Sequence, residues 1–180
     1  RSSFLTSYSY ATDDGDLSQS QGLASFSNDF LIPDSQWFGF LKAQGEYDEF
    51  QAWDGRIELY GGPGYVWYDT ETQTLITRLG FGAELEIGSS DTAWRPIAVF
   101  NVEYRKLLTE RQELTASLDG ISDLSDLNNW RGVARAEWSM LVDPEVNLSL
   151  VAGAQVEYDA SPQGAERSDV DYYILLSWAY

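Results

Sequence analysis

The chain has 180 residues, 43% of them apolar, with 29 acids against 11 bases and a formal net charge of −18. That excess of carboxylates excludes a nucleic-acid role, because phosphate binding needs a basic face. Cysteine and histidine are both absent, which removes Cys–His and Ser–His–Asp nucleophiles, zinc sites and thiol redox chemistry.

The length suits one domain over residues 1–180. Mean hydropathy is −0.32, and no stretch approaches the roughly 18 apolar residues of a spanning helix. A barrel is still open, since its signal is spread over alternating strands of about 10 residues. Aromatics reach 14%, with 7 Trp and 11 Tyr, as interfacial girdles require. Basic residues divide into two Lys and nine Arg. Arg stays charged and pairs bidentately when partly desolvated, so a walled-in ion-pair network favours it; a compositional bias of the source is the plainer reading. The chain begins at Arg1 with no apolar leader, which fits a precursor whose signal peptide has been removed.

In chain order, turn signals delimit ten strands near 3–12, 19–32, 36–48, 56–69, 73–87, 94–106, 111–121, 129–142, 146–159 and 169–180. Short connections (Pro33 to Ser35, Thr70 to Thr72, Leu107 to Glu110, Asp143 to Glu145) alternate with longer ones (Asp13 to Ser18, Glu49 to Gly55, Gly88 to Ala93, Ser122 to Leu127, Ala160 to Ser168). Outer-membrane barrels alternate tight periplasmic turns with longer outside loops in this way. The first two strands carry Ser and Thr on both faces and pattern weakly. In the fourth, Pro63 within Gly61-Gly62-Pro63-Gly64 cannot donate to a ladder, so a bulge or bend is expected there.

Faces alternate strand after strand. Ile57, Leu59, Tyr65 and Trp67 oppose Arg56, Glu58 and Tyr60. Leu75, Leu79, Phe81, Ala83, Leu85 and Ile87 oppose Thr74, Arg78, Glu84 and Glu86. Ala98, Phe100, Val102 and Tyr104 oppose Asn101, Glu103 and Arg105. Trp130, Ala134, Ala136, Trp138 and Met140 oppose Arg131, Arg135, Glu137 and Ser139. In the ninth strand Val146, Leu148, Leu150, Ala152, Ala154, Val156 and Tyr158 oppose Asn147, Ser149, Gln155, Glu157 and Asp159. A soluble up-and-down barrel would turn the apolar face inward. The inverted arrangement is favoured by charge-free apolar faces and by aromatics gathered toward strand ends: Trp37, Tyr47, Trp67, Trp130, Trp138, Tyr158, Trp178 and Tyr180. The last strand, with Tyr173, Trp178 and the terminal Tyr180, resembles the assembly signal of bacterial outer-membrane barrels, with Leu175 where that signal has Gly.

Strands heading toward the longer loops end in acids, and the strands that follow begin with Arg on the same face. Three hairpin pairs are therefore expected: Asp48 with Arg56, Glu86 with Arg95, and Asp119 with Arg131. Cross-strand charge pairs contribute about 0.2–1 kcal/mol each. With Arg78, Glu84, Glu103, Arg105, Arg135, Glu137, Glu157 and Asp159 they make a polar lumen, either braced shut by ion pairs or forming a constriction that selects cations. Asp13-Asp14-Gly15-Asp16 reads as a solvated loop before it reads as a divalent-ion site. No metal or cofactor is expected.

Three stretches resemble a known family: Tyr60-Gly61-Gly62-Pro63-Gly64-Tyr65 with Asp69 to Leu75; Leu108 to Leu114 with Ser122 to Asp126; and Gln155 to Asp159 with Ser161 to Asp169. The chain is similar over roughly residues 36–180 to the salt-induced outer-membrane proteins, a domain-of-unknown-function family of Gram-negative β-barrels. That resemblance implies an outer-membrane barrel without assigned chemistry, with ten strands here or twelve if an N-terminal hairpin is missing.

The expectation is an all-β, antiparallel, up-and-down transmembrane barrel of about ten strands in the bacterial outer membrane. It would be a structural or narrow, largely plugged channel-type protein, tied to salt or osmotic stress only through the resemblance. Its partners would be outer-membrane lipid and the barrel-assembly machinery, engaged through the C-terminal strand. An enzyme is disfavoured, because general acid–base work in such barrels uses His and nothing marks Lys42 or Lys106 as a substitute. The alternatives are a soluble ligand-binding barrel and a subunit of a larger envelope assembly.

Overall fold

The computed structural model describes residues 1–13, 16–49, 53–89, 92–162 and 167–178, with the side chains of 10–13 and 16–19 set aside. Ten strands follow one another: β1 (Ser2–Asp13), β2 (Asp16–Leu31), β3 (Trp37–Asp48), β4 (Gly55–Asp69), β5 (Gln73–Ile87), β6 (Arg95–Thr109), β7 (Gln112–Asp123), β8 (Trp130–Asp143), β9 (Leu148–Asp159) and β10 (Ser168–Trp178). They form one sheet in sequence order, each antiparallel to its chain neighbours. Among the described residues there is no helix. The architecture is therefore the expected all-β, up-and-down one.

Local chemistry sets the short connections, which gather at what we call the turn end. Asp34 takes φ of 56°, a left-handed conformation that Asp and Asn tolerate better than most residues, and the Ser35 hydroxyl accepts the Trp37 N–H at 3.0 Å. Thr70 N–H donates to Gln73 O at 2.9 Å, while the Thr70 hydroxyl accepts the Gln73 N–H at 3.0 Å. Asn147 is left-handed at φ of 51°, so β9 starts at Leu148 and not at Val146 as the alternation suggests. The longer connections lie at the opposite, loop end.

The Pro63 segment differs in detail from expectation. Pairing lapses between Gly61–Phe81 and Gly64–Arg78 but the register is the same on both sides, and the shift comes later, between Val66 and Tyr68. Pro63 removes a ladder bond without inserting a residue, whereas Trp67 is the inserted one. At Gly62 a Cβ would sit 2.2 Å from Leu79 O, so only glycine permits that approach of β4 to β5.

The sheet curls into a half-barrel. Side chains far apart in strand order meet across its concave face: Arg78 on β5 reaches Asp29 on β2 at 3.3 Å, and Arg131 on β8 hydrogen-bonds Glu58 on β4 and Glu84 on β5. Among the described residues no ladder joins β1 to β10, the seam a closed cylinder would need; both are edge strands.

Burial runs against the usual pattern of apolar residues inside and charges outside. Glu58 and Glu84 are 2% and 4% exposed, whereas Phe81 and Ile174 are 58% and 76% exposed. The concave face is nonetheless not polar throughout. Phe38, Phe40, Tyr60, Ile76, Ile97 and Val99 form a buried cluster there, joined by Val66 and Ile121. Its rings occupy space left by glycine: a Cβ on Gly64 would lie 2.2 Å from the Phe38 ring, and one on Gly80 2.9 Å from that of Phe40.

Candidate functional site

The interior divides into two charged regions separated by the apolar cluster. At the loop end, the two-residue period of β4 and β5 puts Arg56 and Glu58, and Glu84 and Glu86, on the concave face. Register then sets Arg56 opposite Glu86, and Glu58 opposite Glu84. Two carboxylates face each other, and three arginines gather on them. Arg56 lies 2.9 Å from Glu86 and 3.8 Å from both Glu46 and Glu84; its guanidinium also covers the Trp53 ring at 4.3 Å. Arg95 meets Glu86 at 2.7 Å, Glu84 at 3.0 Å and Asp123 at 4.0 Å. Arg131 comes from the far wall and hydrogen-bonds both Glu58 and Glu84. The second oxygen of Glu58, Oε2, is buried without a hydrogen-bond partner. Between these groups is a small chamber of about 90 Å³.

The turn end is roomier, with a cavity of about 860 Å³. Asp29 anchors one side, 2.6 Å from Arg1 and 3.3 Å from Arg78. Arg78 also meets Glu103 at 2.7 Å and donates to Asn101 Oδ1 at 2.9 Å, and Asn101 in turn donates to Asp119 at 2.9 Å. Arg105 pairs with Glu113 at 2.7 Å. Arg135 donates to Gln155 Oε1, and the Gln155 amide donates to Glu157 at 2.6 Å. Tyr173 lies across Gly153, where a Cβ would come within 2.5 Å of its ring, and its hydroxyl hydrogen-bonds Glu137.

Of the three hairpin pairs read from the sequence, the structure brings Glu86 and Arg95 together. Arg56 sits directly opposite Glu46, two positions from the expected Asp48, which accepts a hydrogen bond from Gln21 at 2.9 Å. Arg131 meets Glu58 and Glu84, and Asp119 instead takes the Asn101 amide. Asp159 is the direct partner of Arg131 on β9 and lines the small chamber. Sequence reasoning did not find Asp29, Asp123 or the apolar cluster. Ile76 and Ile97 carry a signal only as apolar residues out of phase with their strands.

On the convex face, aromatics sit near both ends of the sheet. Toward the turn end, Tyr65 lies between Trp37 and Trp67 with centroid separations of 4.8 and 4.9 Å, and the Trp67 indole donates to Thr77 at 3.1 Å. Trp138 and Trp178 sit toward the same end, as their pairing with Leu114 and Leu148 places them. Tyr47, opposite Gly55, belongs to the loop end, where Trp130 stacks on Tyr158 at 4.8 Å. Tyr180, Asp14 and the side chains of Asp13 and Asp16 lie outside the described residues.

This arrangement holds buried charge within a network of ion pairs. Among the described residues no three carboxylates are grouped to hold a metal ion. In comparison with known families, the chain matches the one described as a protein of unknown function, DUF481, along residues 1–180. No curated protein matches it.

Proposed function

Because the chain belongs to DUF481, a family of unknown function, we propose from its geometry that it is a barrel wall of the bacterial outer membrane. In this reading its lumen is narrow and largely closed by ion pairs. The observation that carries it is the inverted burial: Glu58 and Glu84 are hidden while Phe81 and Ile174 are bare. In water such a surface costs free energy in proportion to its apolar area; against lipid tails it costs nothing and the charged face is sheltered. The aromatic clusters near both ends fit the two membrane interfaces. Lipid is then the principal partner, and β10, an exposed edge with Trp178 near its end, is the segment offered to an assembly machinery. The protein acts as a wall and a path, not as a catalyst. A link to salt or osmotic stress rests on the sequence resemblance alone.

Refolding the urea-denatured chain into lipid vesicles tests this reading. A compact gel band that needs boiling to unfold, with blue-shifted Trp emission, is the expected result. A monomer that folds in plain buffer without lipid or detergent would overturn it and favour a soluble barrel.

A further inference from the structure

We propose that Arg131 is the latch of the lumen, and that displacing it opens a cation-selective path from the loop-end chamber to the turn-end cavity. The inference rests on the barrel reading above and adds where the path is shut and which ions it passes.

Closure between the two regions comes unequally from the two walls. The apolar cluster is carried by β3 to β6, through Phe40, Tyr60, Ile97 and Val99. From the opposite wall, Arg131 crosses the concave face to reach Glu58 and Glu84. Its side chain lines the small chamber together with Ile97 and Ile121, which form the apolar side of that space. Three other features make it a latch and not a fixed plug. It is anchored on β8, strands away from its partners. Its two partners are direct cross-strand neighbours of each other, so one guanidinium holds both. Glu84 already has Arg95 at 3.0 Å and Arg56 at 3.8 Å, and keeps counter-charge when Arg131 leaves.

Selectivity follows from what remains. The chamber is lined by Glu84, Glu86, Asp123 and Asp159 against Arg56, Arg95 and Arg131. Without Arg131, four carboxylates face two guanidiniums, and Glu58, with one oxygen already lacking a partner, loses its ion pair as well. A ring of carboxylates in a water-filled constriction passes cations and repels anions.

Single-channel recording in planar bilayers under a KCl gradient tests this, comparing wild type with Arg131→Ser and with the paired variant Arg131→Gln/Glu58→Gln. The paired variant leaves no stranded charge at Glu58 and keeps the test open if the first folds poorly. Wild type is expected to be mostly closed. Arg131→Ser is expected to conduct several-fold more, with a reversal potential favouring K⁺. The paired variant should open as far with weaker preference. If the variants insert, migrate as compact heat-modifiable bands and conduct as wild type does, the latch is wrong and the barrel stands. An opened path that prefers Cl⁻, or a wild type that is permanently open, overturns the latch too. A wild type that fails to enter lipid takes down the barrel reading and the latch with it.

Discussion

At the loop end, Arg56, Arg95 and Arg131 share Glu58, Glu84 and Glu86, and all three carboxylates are buried. At the turn end Arg105 meets Glu113 at 2.7 Å, and Arg135 meets an uncharged Gln155, beside a cavity some 860 Å³ in volume. The residue types and the strand period are the same. What differs is reach and solvent. Turn-end contacts on β6 to β9 link adjacent strands and are more exposed, whereas the loop-end network spans strands that are not neighbours and its carboxylates are buried. Exposed pairs contribute about 0–1 kcal/mol. Breaking a buried pair costs about 3–5 kcal/mol, because it strands a charge without water.

The comparison can be broken at its strongest point. Arg131→Ala should destabilise the lipid-folded protein by about 3–5 kcal/mol, read as a lowered urea midpoint of the compact band; a loss like that of a surface Arg would mean water reaches the loop-end network. Next in size is Gly82→Ala, in the same half. The new Cβ would lie 2.0 Å from Leu59 O and 2.5 Å from Tyr60 Cβ, so β4 and β5 must part and the cost is about 1–3 kcal/mol. Tyr173→Phe, which removes the hydrogen bond to Glu137 while keeping the ring over Gly153, should cost about 1 kcal/mol in the same titration. Smallest is Arg105→Ala at the turn end, at about 1 kcal/mol or less. Salt sharpens this last contrast: at 1 M the screening length falls to about 3 Å, so the Arg105 effect should shrink and the Arg131 effect persist.

The same contrast explains what could be read in the sequence. Strand bounds for β3, β4 and β5 were legible to within a residue, because alternation and turn residues are local signals. Faces were legible too. Partners were less so: the expected pairs at Arg56, Arg95 and Arg131 each lie two positions from the observed register, which sets these residues opposite Glu46, Glu84 and Ile121. A slip of two preserves the face and changes the neighbour, so alternation cannot detect it. The meeting of Arg131 with Glu58 is further from reach still. It depends on how tightly the sheet curls, and no single strand carries that information. The apolar cluster was hidden by a related effect, since Ile76 beside Leu75 and Val99 beside Phe100 blur the period where the two faces are both apolar.

The pairing of Glu58 with Glu84 also bears on the order in which the chain folds. Among the described residues every ladder joins consecutive strands, so each hairpin can close over a short loop with little entropic cost. Closing the β4–β5 hairpin, however, sets two carboxylates that end up buried, Glu58 and Glu84, directly opposite each other, an unfavourable contact on its own. One counter-charge that hydrogen-bonds both is on Arg131, 73 positions from Glu58 and 47 from Glu84. In an early hairpin Arg56, and then Arg95 once β6 adds, offset the repulsion at Glu84, while Glu58 stays frustrated until β8 docks. Relief at Glu58 by a distant strand ties full settling of the β4–β5 hairpin to arrival of β8.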